Sequence, residues 1–453
     1  MEATLSAEAY ADRINGLYRR VTMRIIPFLF IAYVVAIIDR INVGFAQLHM
    51  KTELGFSDAV YGLGAGIFFL GYVLFEVPSN AMLYRIGARK TFTRILVCWG
   101  SVSMAMATVK TPFSLYVLRF LLGVFEAGFF PGILFYLTYW FPASRRGRAT
   151  GWLFVAVTFS GTIGGVVSGA IMQYFQGIYG LSNWQWLFLM EGAPAVLLGV
   201  VAWFAIPDSP KHVAWLGESE KELLLRELRR EASTEATDKH HSFAQLLLHP
   251  RILLLTAVYF TLSCGAMAIS FWLPIMVHSA GTYTMLQTGL YSSVPYLVGM
   301  AGIVLVTRHS DRTLERRYHY ATCVIAAAVA FALLPSFAGN LPVLLALLSI
   351  GVVGIFAGFP LFWSIPHQFL STATVATGLA LINCIGQIGG FVSPAVIGWI
   401  KTKTGHMDNA LYLLAVVVAL GGVVLVLSVR APQGRNTIAS PRESREATGH
   451  TGV

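Results

Sequence analysis

The chain has 453 residues, of which 56% are hydrophobic and only 12% are charged, whereas a soluble domain carries about 25% charged residues. This composition excludes an ordinary soluble protein, and the lack of short alternating segments argues against an outer-membrane barrel. A net charge of +10 also occurs in nucleic-acid binders, but basic loops that orient a membrane protein produce the same excess. The sequence therefore predicts a polytopic helical membrane protein that binds no nucleic acid.

Twelve apolar runs, each long enough to cross about 30 Å of hydrocarbon, predict twelve transmembrane helices. The expected spans are 25–46, 57–80, 91–110, 113–137, 148–173, 184–206, 252–277, 288–308, 319–338, 341–365, 375–400 and 409–430. They define an N-terminal segment (1–24), a first six-helix half (25–206), a linker (207–251), a second six-helix half (252–430) and a C-terminal tail (431–453).

The polar segments outside the spans have distinct compositions. Residues 1–24 are mixed in charge and do not resemble a cleavable signal peptide. The linker contains EKELLLRELRRE, which predicts one amphipathic helix at the membrane surface. The tail is expected to be disordered.

Basic residues are distributed unevenly between the predicted loops. Of 32 lysines and arginines, two lie deep within spans and 26 fall in the tails, in one set of alternate loops or at the span ends that adjoin them. The other set of loops contains only Lys51, Lys110, Lys401 and Lys403. Because basic residues accumulate on the cytoplasmic side, both termini are predicted to lie in the cytoplasm. The protein is predicted to be a monomer in the inner membrane of the cell.

Span one contains Asp39 and Arg40, and span four contains Arg119 and Glu126. Arg119 and Glu126 are seven residues apart and therefore share one helix face, whereas adjacent residues point about 100° apart. A charge near the membrane centre costs about 2.5–3.5 kcal/mol on insertion scales. We therefore expect these side chains to face the protein interior or a water-filled cavity, with one span-one residue facing span four and the other facing the cavity.

Two further acids, Glu76 in span two and Glu191 in span six, lie nearer the helix ends, and we interpret them as structural. The second half offers neutral polar groups instead of charges within its spans. These groups are Tyr259, Tyr296, Trp363, Ser364, Asn383 and Gln387.

This division between the halves suggests a function for the intramembrane charges. Guanidinium groups bind a carboxylate in a forked, two-point geometry, so two arginines suit an organic anion. An anion that competes for an arginine would favour proton uptake by Asp39 or Glu126, and this linkage is what symport requires. The alternative interpretation is a set of buried ion pairs that only hold the helices in register.

Two pairs of similar segments indicate an internal repeat. GTIGG at 161–165 is matched by GQIGG at 386–390, and the basic loop at 84–90 is matched by the loop at 311–317. The offsets of 225 and 227 residues are nearly equal, which predicts two duplicated halves of the kind found in secondary transporters. The glycines suit a packed seam between the halves. The loop residues Arg85, Arg89, Asp311 and Arg312 suit either a conformational latch or simple topology signals.

No metal or organic cofactor is predicted. The four cysteines, Cys98, Cys264, Cys323 and Cys384, lie singly in apolar runs and show no metal-ligand spacing. The 11 histidines form no HExxH or similar cluster. Protons are therefore the expected coupling ion.

Four segments carry a resemblance to a known family. IDRINVGFA, GYVLFEVPSN, RFLLGVFEAGFFPGILFYLTYWFP and INCIGQIGGFVSPAVIGW resemble the anion:cation symporters of the major facilitator superfamily, over residues from about 20 to 430. The resemblance implies a fold of two pseudo-symmetric six-helix halves and the import of organic acids with protons. It also implies protonatable acids at Asp39 and Glu126, arginines at Arg40 and Arg119, one near substrate and one near the glutamate, and cavity positions at Tyr72 and Asn383.

Some positions depart from the pattern of that family. Ile37 and Ile38 stand where an aromatic residue is common, Tyr84 stands where an aspartate is usual, and His367 and Gln368 alter the end of span ten. These departures leave the acid unspecified between a tartrate-like hydroxy-dicarboxylate, a sugar acid and an aromatic carboxylate.

Other functions remain open at this point. A drug or metabolite exporter of the same fold would need no arginine in its site, and a membrane sensor would bind ligand without moving it. A membrane enzyme would need a catalytic set near the interface, and the sequence contains none.

Overall fold

The computed structural model describes residues 7–235, 249–366 and 372–428, and these residues form helices and loops without a β-strand. The predicted tail at 431–453, His367 and Gln368 lie outside the described residues. The helices of the first half and the linker are α1 (Ala7–Ile41), α2 (Val43–Leu54), α3 (Asp58–Ile86), α4 (Ala88–Ala105), α5 (Pro112–Glu126), α6 (Phe129–Thr138), α7 (Ala143–Tyr174), α8 (Asn183–Ala205) and α9 (Glu218–Glu235). Those of the second half are α10 (Pro250–Ser279), α11 (Met285–Thr313), α12 (Arg317–Leu333), α13 (Leu341–Ser364), α14 (Thr372–Gly386), α15 (Ile388–Thr404) and α16 (Asp408–Ser428).

Each predicted span corresponds to one helix or to two consecutive helices. The pairs α1–α2, α5–α6 and α14–α15 each form one interrupted span. In the described part of the chain, eleven of these units are long and apolar enough to cross a membrane. The predicted third span is α4, whose first turns carry Arg89, Lys90 and Arg94 and are therefore less apolar than the other spans. The protein is a multi-pass membrane protein.

Local capping signals start several helices where the apolar runs begin. The Ser57 side chain accepts a hydrogen bond from the backbone of Val60 at the start of α3. Reciprocal capping boxes form at Thr111, Ser182 and Thr284, which precede α5, α8 and α11. These contacts satisfy backbone N–H groups that a helix start would otherwise leave unpaired.

The N-terminal segment and the linker pack against each other. Helix α1 begins at Ala7, so most of the segment predicted as polar is a helical extension of span one. Arg20 forms a salt bridge with Glu220, and the Tyr10 hydroxyl donates to Glu227 at 3.1 Å. We call the end of the bundle that carries these contacts the linker end, and the opposite end the far end.

The two halves meet closely at the far end. Helix α3 packs along α15, and α7 packs along α11. A Cβ atom added to Gly62 would lie 2.3 Å from the Pro394 carbonyl oxygen, and one added to Gly289 would lie 2.2 Å from the Gly165 carbonyl oxygen. Such approaches require glycine, so small residues of both halves close the far end.

A cavity of about 750 Å³ lies at the linker end, along the first turns of α1 and α7. Its lining residues include Asn15, Arg19, Ser144, Arg145 and Trp152. All of its lining residues belong to the N-terminal segment or the first half, and none of them is a predicted site residue.

Candidate functional site

An ion pair joins α1 to α5 inside the first half. The Arg40 guanidinium donates through Nη2 to Oε1 of Glu126. The Glu126 side chain is 1% exposed, whereas the Arg40 side chain is 11% exposed. Arg40 Nε and Glu126 Oε2 are buried and have no hydrogen-bond partner. The pair therefore has unused capacity for one more acceptor and one more donor.

The position of Glu126 follows from a break in span four. Helix α5 ends at Glu126, and the chain leaves helical geometry at Ala127 before Gly128 adopts a φ of 82°. A Cβ atom on Gly128 would lie 2.7 Å from the Ser79 side chain, so only glycine suits this close, left-handed position. The break leaves the Glu126 carboxyl at a helix end, beside the guanidinium of α1.

Aromatic rings surround the Arg40 guanidinium. The ring centres of Phe68, Tyr72 and Phe69 lie 5.2, 5.6 and 6.0 Å from its central carbon. Such contacts attract a cation to the ring faces. Tyr72 was predicted to line the substrate site, and the structure places it 4% exposed against this guanidinium.

Asp39 lies elsewhere than expected. Its side chain accepts hydrogen bonds from Trp99 and Ser103 of α4, and from Asn42 at 3.3 Å. The residue is 1% exposed, so it faces the packed contact between α1 and α4, and the expectation that it faces a cavity was wrong for this conformation. The physical reason is that α4 supplies two polar donors to an otherwise apolar contact.

Arg119 lies in the protein interior, one of the two surroundings expected for it. It is fully buried and donates to the carbonyl oxygens of Gly64 and Ala65 in α3, at 3.2 and 3.3 Å. Phe68 and Phe271 lie 5.2 and 5.9 Å from its guanidinium carbon. Its hydrogen bonds go to α3 rather than to Glu126, which pairs with Arg40. Arg119 Nη1 has no partner, and a substrate contact through it stays a prediction.

Most of the predicted neutral residues of the second half lie together near α10, α13 and α14, whereas Tyr296 lies on α11. The Tyr259 hydroxyl donates to Asn383 Oδ1 at 3.2 Å, and the Tyr259 and Trp363 rings lie 4.9 Å apart. Gln387, in the break between α14 and α15, accepts from Ser263 at 3.4 Å. Asn383, Trp363 and Gln387 are each partly exposed, so this neutral cluster retains some access to the space outside the packed core.

Asn383 connects this cluster to the first half. Its Nδ2 atom donates to Oε1 of Glu76 in α3 at 2.9 Å. From the sequence, Glu76 was interpreted as structural and was not included in the site. A possible signal was its position two residues before Pro78, within an apolar span.

The predicted latch residues contact elements of their own half. The Arg89 side chain donates to the Ile206 carbonyl oxygen at the end of α8 at 3.2 Å, and its backbone N–H donates to Asp208 at 2.9 Å. In the second half Asp311 pairs with Arg316, and Arg317 donates to the Val426 carbonyl oxygen in α16. Arg85 and Arg312 are exposed. The contacts of Arg89 and Arg317 occupy corresponding places in the two halves.

An ion pair between the halves at the far end was missed in the sequence. Asp58, the first residue of α3, lies 2.6 Å from Lys51 and 3.2 Å from Lys401 of α15. The Ala59 backbone N–H also donates to Thr402 at 2.7 Å. The sequence signal was the placement of these charges at the ends of predicted spans, but nothing local indicated which ends meet.

The fold and the buried charges define a membrane transporter built from two helical halves. A family profile described as Major Facilitator Superfamily matches residues 29–394. The chain belongs to this superfamily, as the resemblance predicted, and its members are transporters rather than enzymes.

Individual proteins with similar sequences span nearly the whole chain. A "Putative tartrate transporter" of Agrobacterium vitis is 44% identical over 95% of this chain and 98% of its own length. A "Quinolone resistance transporter" of Acinetobacter baumannii is 41% identical over 93% of this chain and 96% of its own length.

A solved structure supports the fold. The xylose transporter XylE from E. coli, in a partially occluded inward open conformation, aligns with a TM-score of 0.74. The alignment covers 92% of this chain and 99% of that chain at 11% identity. At this identity the likeness shows the fold alone.

Proposed function

We propose that this protein imports a small organic anion together with protons by alternating access. The observation that carries the proposal is the Arg40–Glu126 pair, which has an unused donor and an unused acceptor. An incoming carboxylate competes with Glu126 for the guanidinium, since both are acceptors for the same forked donor. Glu126 then gains a proton, because a buried carboxylate without a cation is costly.

The substrate class follows from the two facing surfaces. Arg40 supplies the charge that a carboxylate needs, while Asn383, Gln387 and Trp363 supply neutral donors, acceptors and an aromatic face for the rest of the solute. The relative from Agrobacterium vitis that is named for tartrate favours a hydroxy-dicarboxylate. Asp39 is the second proposed proton site, and Arg119 the second proposed anion contact.

Alternating access is supported by the asymmetry between the two ends of the bundle. Glycines of both halves and the Asp58–Lys401 pair close the far end, whereas the contacts of Arg89 and Arg317 at the linker end each lie within one half. We place the linker end on the cytoplasmic side of the inner membrane because the basic loops lie there. The protein works as a monomer in this proposal, and its basic loops, including Arg85 and Arg312, act as latches between conformations.

The test is uptake of labelled tartrate by purified protein in liposomes, with and without an imposed pH gradient that is acid outside. We expect uptake that rises with the gradient and that disappears in Arg40→Ala. Equal uptake with and without the gradient would exclude proton coupling. If the wild-type protein binds acids in a thermal-shift assay but moves none of them, it is a sensor rather than a carrier.

A second candidate function is export of amphipathic compounds by exchange with protons. The relative from Acinetobacter baumannii that is named for quinolone resistance favours it. The same liposomes separate the two functions by the direction of the pH gradient. Symport accumulates tartrate when the outside is acid, whereas proton exchange accumulates a quinolone when the inside is acid. We favour import because Arg40 and Glu126 occupy a buried position that an uncharged drug would not require.

A further inference from the structure

Glu76 forms a contact between the two halves that the proposed function does not use. It lies on α3, about 15 Å along the helix axis from the linker-end terminus at Ile86. Its Oε1 atom accepts the hydrogen bond from Asn383 of α14 at 2.9 Å, while its Oε2 atom is buried without a partner. The residue is 6% exposed.

Among the described residues that face Glu76, no basic side chain pairs with its carboxyl group. Tyr72 of its own helix, Tyr259 of α10 and Cys384 of α14 lie within electrostatic reach of the carboxyl. One turn along α3, the Arg94 guanidinium of α4 donates to Ser79 and Met82, and Arg40 is held by Glu126. Glu76 forms no salt bridge within the described part of the chain, so only a neutral amide stabilises it.

The orientation of Asn383 explains how this contact is held. Tyr259 donates to the amide oxygen of Asn383, and this bond directs the amide nitrogen toward Glu76. One neutral donor offsets only a small part of the desolvation free energy of a buried carboxylate. Protonation removes the charge and with it this unfavourable free energy. When α3 and α14 separate, the amide donor leaves and water reaches the carboxyl. Water then stabilises the ionised form.

We propose that Glu76 is a further proton site of the transport cycle, one that binds its proton when α3 and α14 close and releases it when they part. The proton enters from water at one side of the membrane and leaves to water at the other, and no electron or bond of the substrate is involved. This inference rests on the proposed symport. It adds one proton per substrate to those carried by Asp39 and Glu126.

Glu191 provides a matched control within the same chain. It is 5% exposed, its Oε1 atom accepts from Ser168 at 2.7 Å, and its Oε2 atom has no partner. Its burial and bonding therefore match those of Glu76, but Ser168 belongs to the same half. Opening the interface between the halves should change only the surroundings of Glu76.

The first experiment measures the proton count in liposomes at zero membrane potential, from the tartrate gradient that balances a pH gradient of known size. Each coupled proton multiplies the balancing tartrate ratio by about tenfold per pH unit. We expect Glu76→Gln to lower the ratio by one such factor and Glu191→Gln to leave it unchanged. An unchanged ratio in Glu76→Gln, with active wild-type protein, overturns the inference and leaves symport intact.

The second experiment does not depend on transport. Infrared spectra of the purified protein in lipid detect the carbonyl stretching band of protonated carboxyl groups. We expect Glu76→Gln to remove one such band and Asn383→Ala to shift it, because the band belongs to a carboxyl that accepts from Asn383. If the wild-type protein moves no tartrate, the proposed symport of tartrate is wrong. The infrared spectra still show in that case whether Glu76 is protonated. Identical bands in wild-type and Glu76→Gln protein overturn the inference by themselves.

Discussion

The two halves of the molecule share a fold but differ in chemistry. The first half buries two arginines and five acids, namely Arg40, Arg119, Asp39, Asp58, Glu76, Glu126 and Glu191. The second half presents neutral groups at the corresponding depth, among them Tyr259, Asn383 and Gln387. Duplication of a fold therefore did not require duplication of its charges.

The difference indicates that the halves have separate tasks. Buried charges are stable only where partners surround them closely, so the first half is suited to hold the anion and the protons. Neutral hydrogen-bonding groups can lose and regain partners at lower cost, which suits a surface that moves. Five experiments test this difference between the halves.

The largest effect is expected from Arg40→Ala. Removing one partner of a buried hydrogen-bonded charge pair costs about 2–5 kcal/mol, and we expect tartrate uptake to fall by roughly 100-fold or more. Uptake of labelled tartrate into liposomes measures this loss. The double variant Arg40→Ala/Glu126→Gln should recover the melting temperature but not the uptake. Recovery of uptake in the double variant would show that the pair is only structural.

Arg119→Ala should lower both uptake and stability. Its guanidinium donates to two carbonyl oxygens of α3, so truncation leaves buried acceptors without donors, at about 1–3 kcal/mol each. Thermal unfolding of the detergent-purified variant measures the loss of stability. The tartrate-induced rise in melting temperature should also disappear. A rise equal to that of the wild type would assign Arg119 to the scaffold of the first half alone.

The seam between the halves can be tested with Gly289→Ala. A Cβ atom there would lie 2.2 Å from the Gly165 carbonyl oxygen, and such overpacking costs about 1–3 kcal/mol. We expect the far end to open more often, and a thiol-specific label at a cysteine introduced nearby would react faster. Gly16→Ala is the control, because no atom lies within 4 Å of its added Cβ. Equal labelling of both variants would contradict a closed seam.

Glu126→Gln should separate coupling from binding. The amide keeps a hydrogen bond to Arg40 but cannot carry a proton, so accumulation driven by a pH gradient should fall about tenfold per pH unit. Exchange of tartrate already present on both sides should fall less. Both rates are measured in the same liposomes. Equal losses in accumulation and exchange would argue against a proton at this position.

The smallest effect is expected from Asp58→Asn. The Lys51 side chain is 43% exposed, and pairs of this kind contribute about 0–1 kcal/mol. Initial rates of tartrate uptake should change less than about fivefold, and the change should shrink at high salt. A large, salt-independent loss would make the Asp58–Lys401 contact a principal lock between the halves.

The order of the helices and the chemistry of each half were accessible from the sequence. Apolar run length predicted the spans because every backbone group in lipid must be paired within the helix. Arg40 and Glu126 were predicted as functional because a charge in an apolar run needs a partner. The partner of Glu126 stayed open between Arg40 and Arg119, since the sequence did not show which arginine lies near the glutamate.

The sequence alone was sufficient for the order of the membrane helices, the superfamily and the half that contains most of the buried charges. Three contacts could be learned only from the folded chain. Arg40 pairs with Glu126, Asp39 accepts hydrogen bonds from α4, and Glu76 accepts one from Asn383 across the interface between the halves. The cause is the separation along the chain of the residues that determine each feature. Helix formation depends on residues within a few turns of one another, whereas a side-chain contact between helices depends on rotations and breaks, such as the one at Gly128, that residues distant in the chain determine.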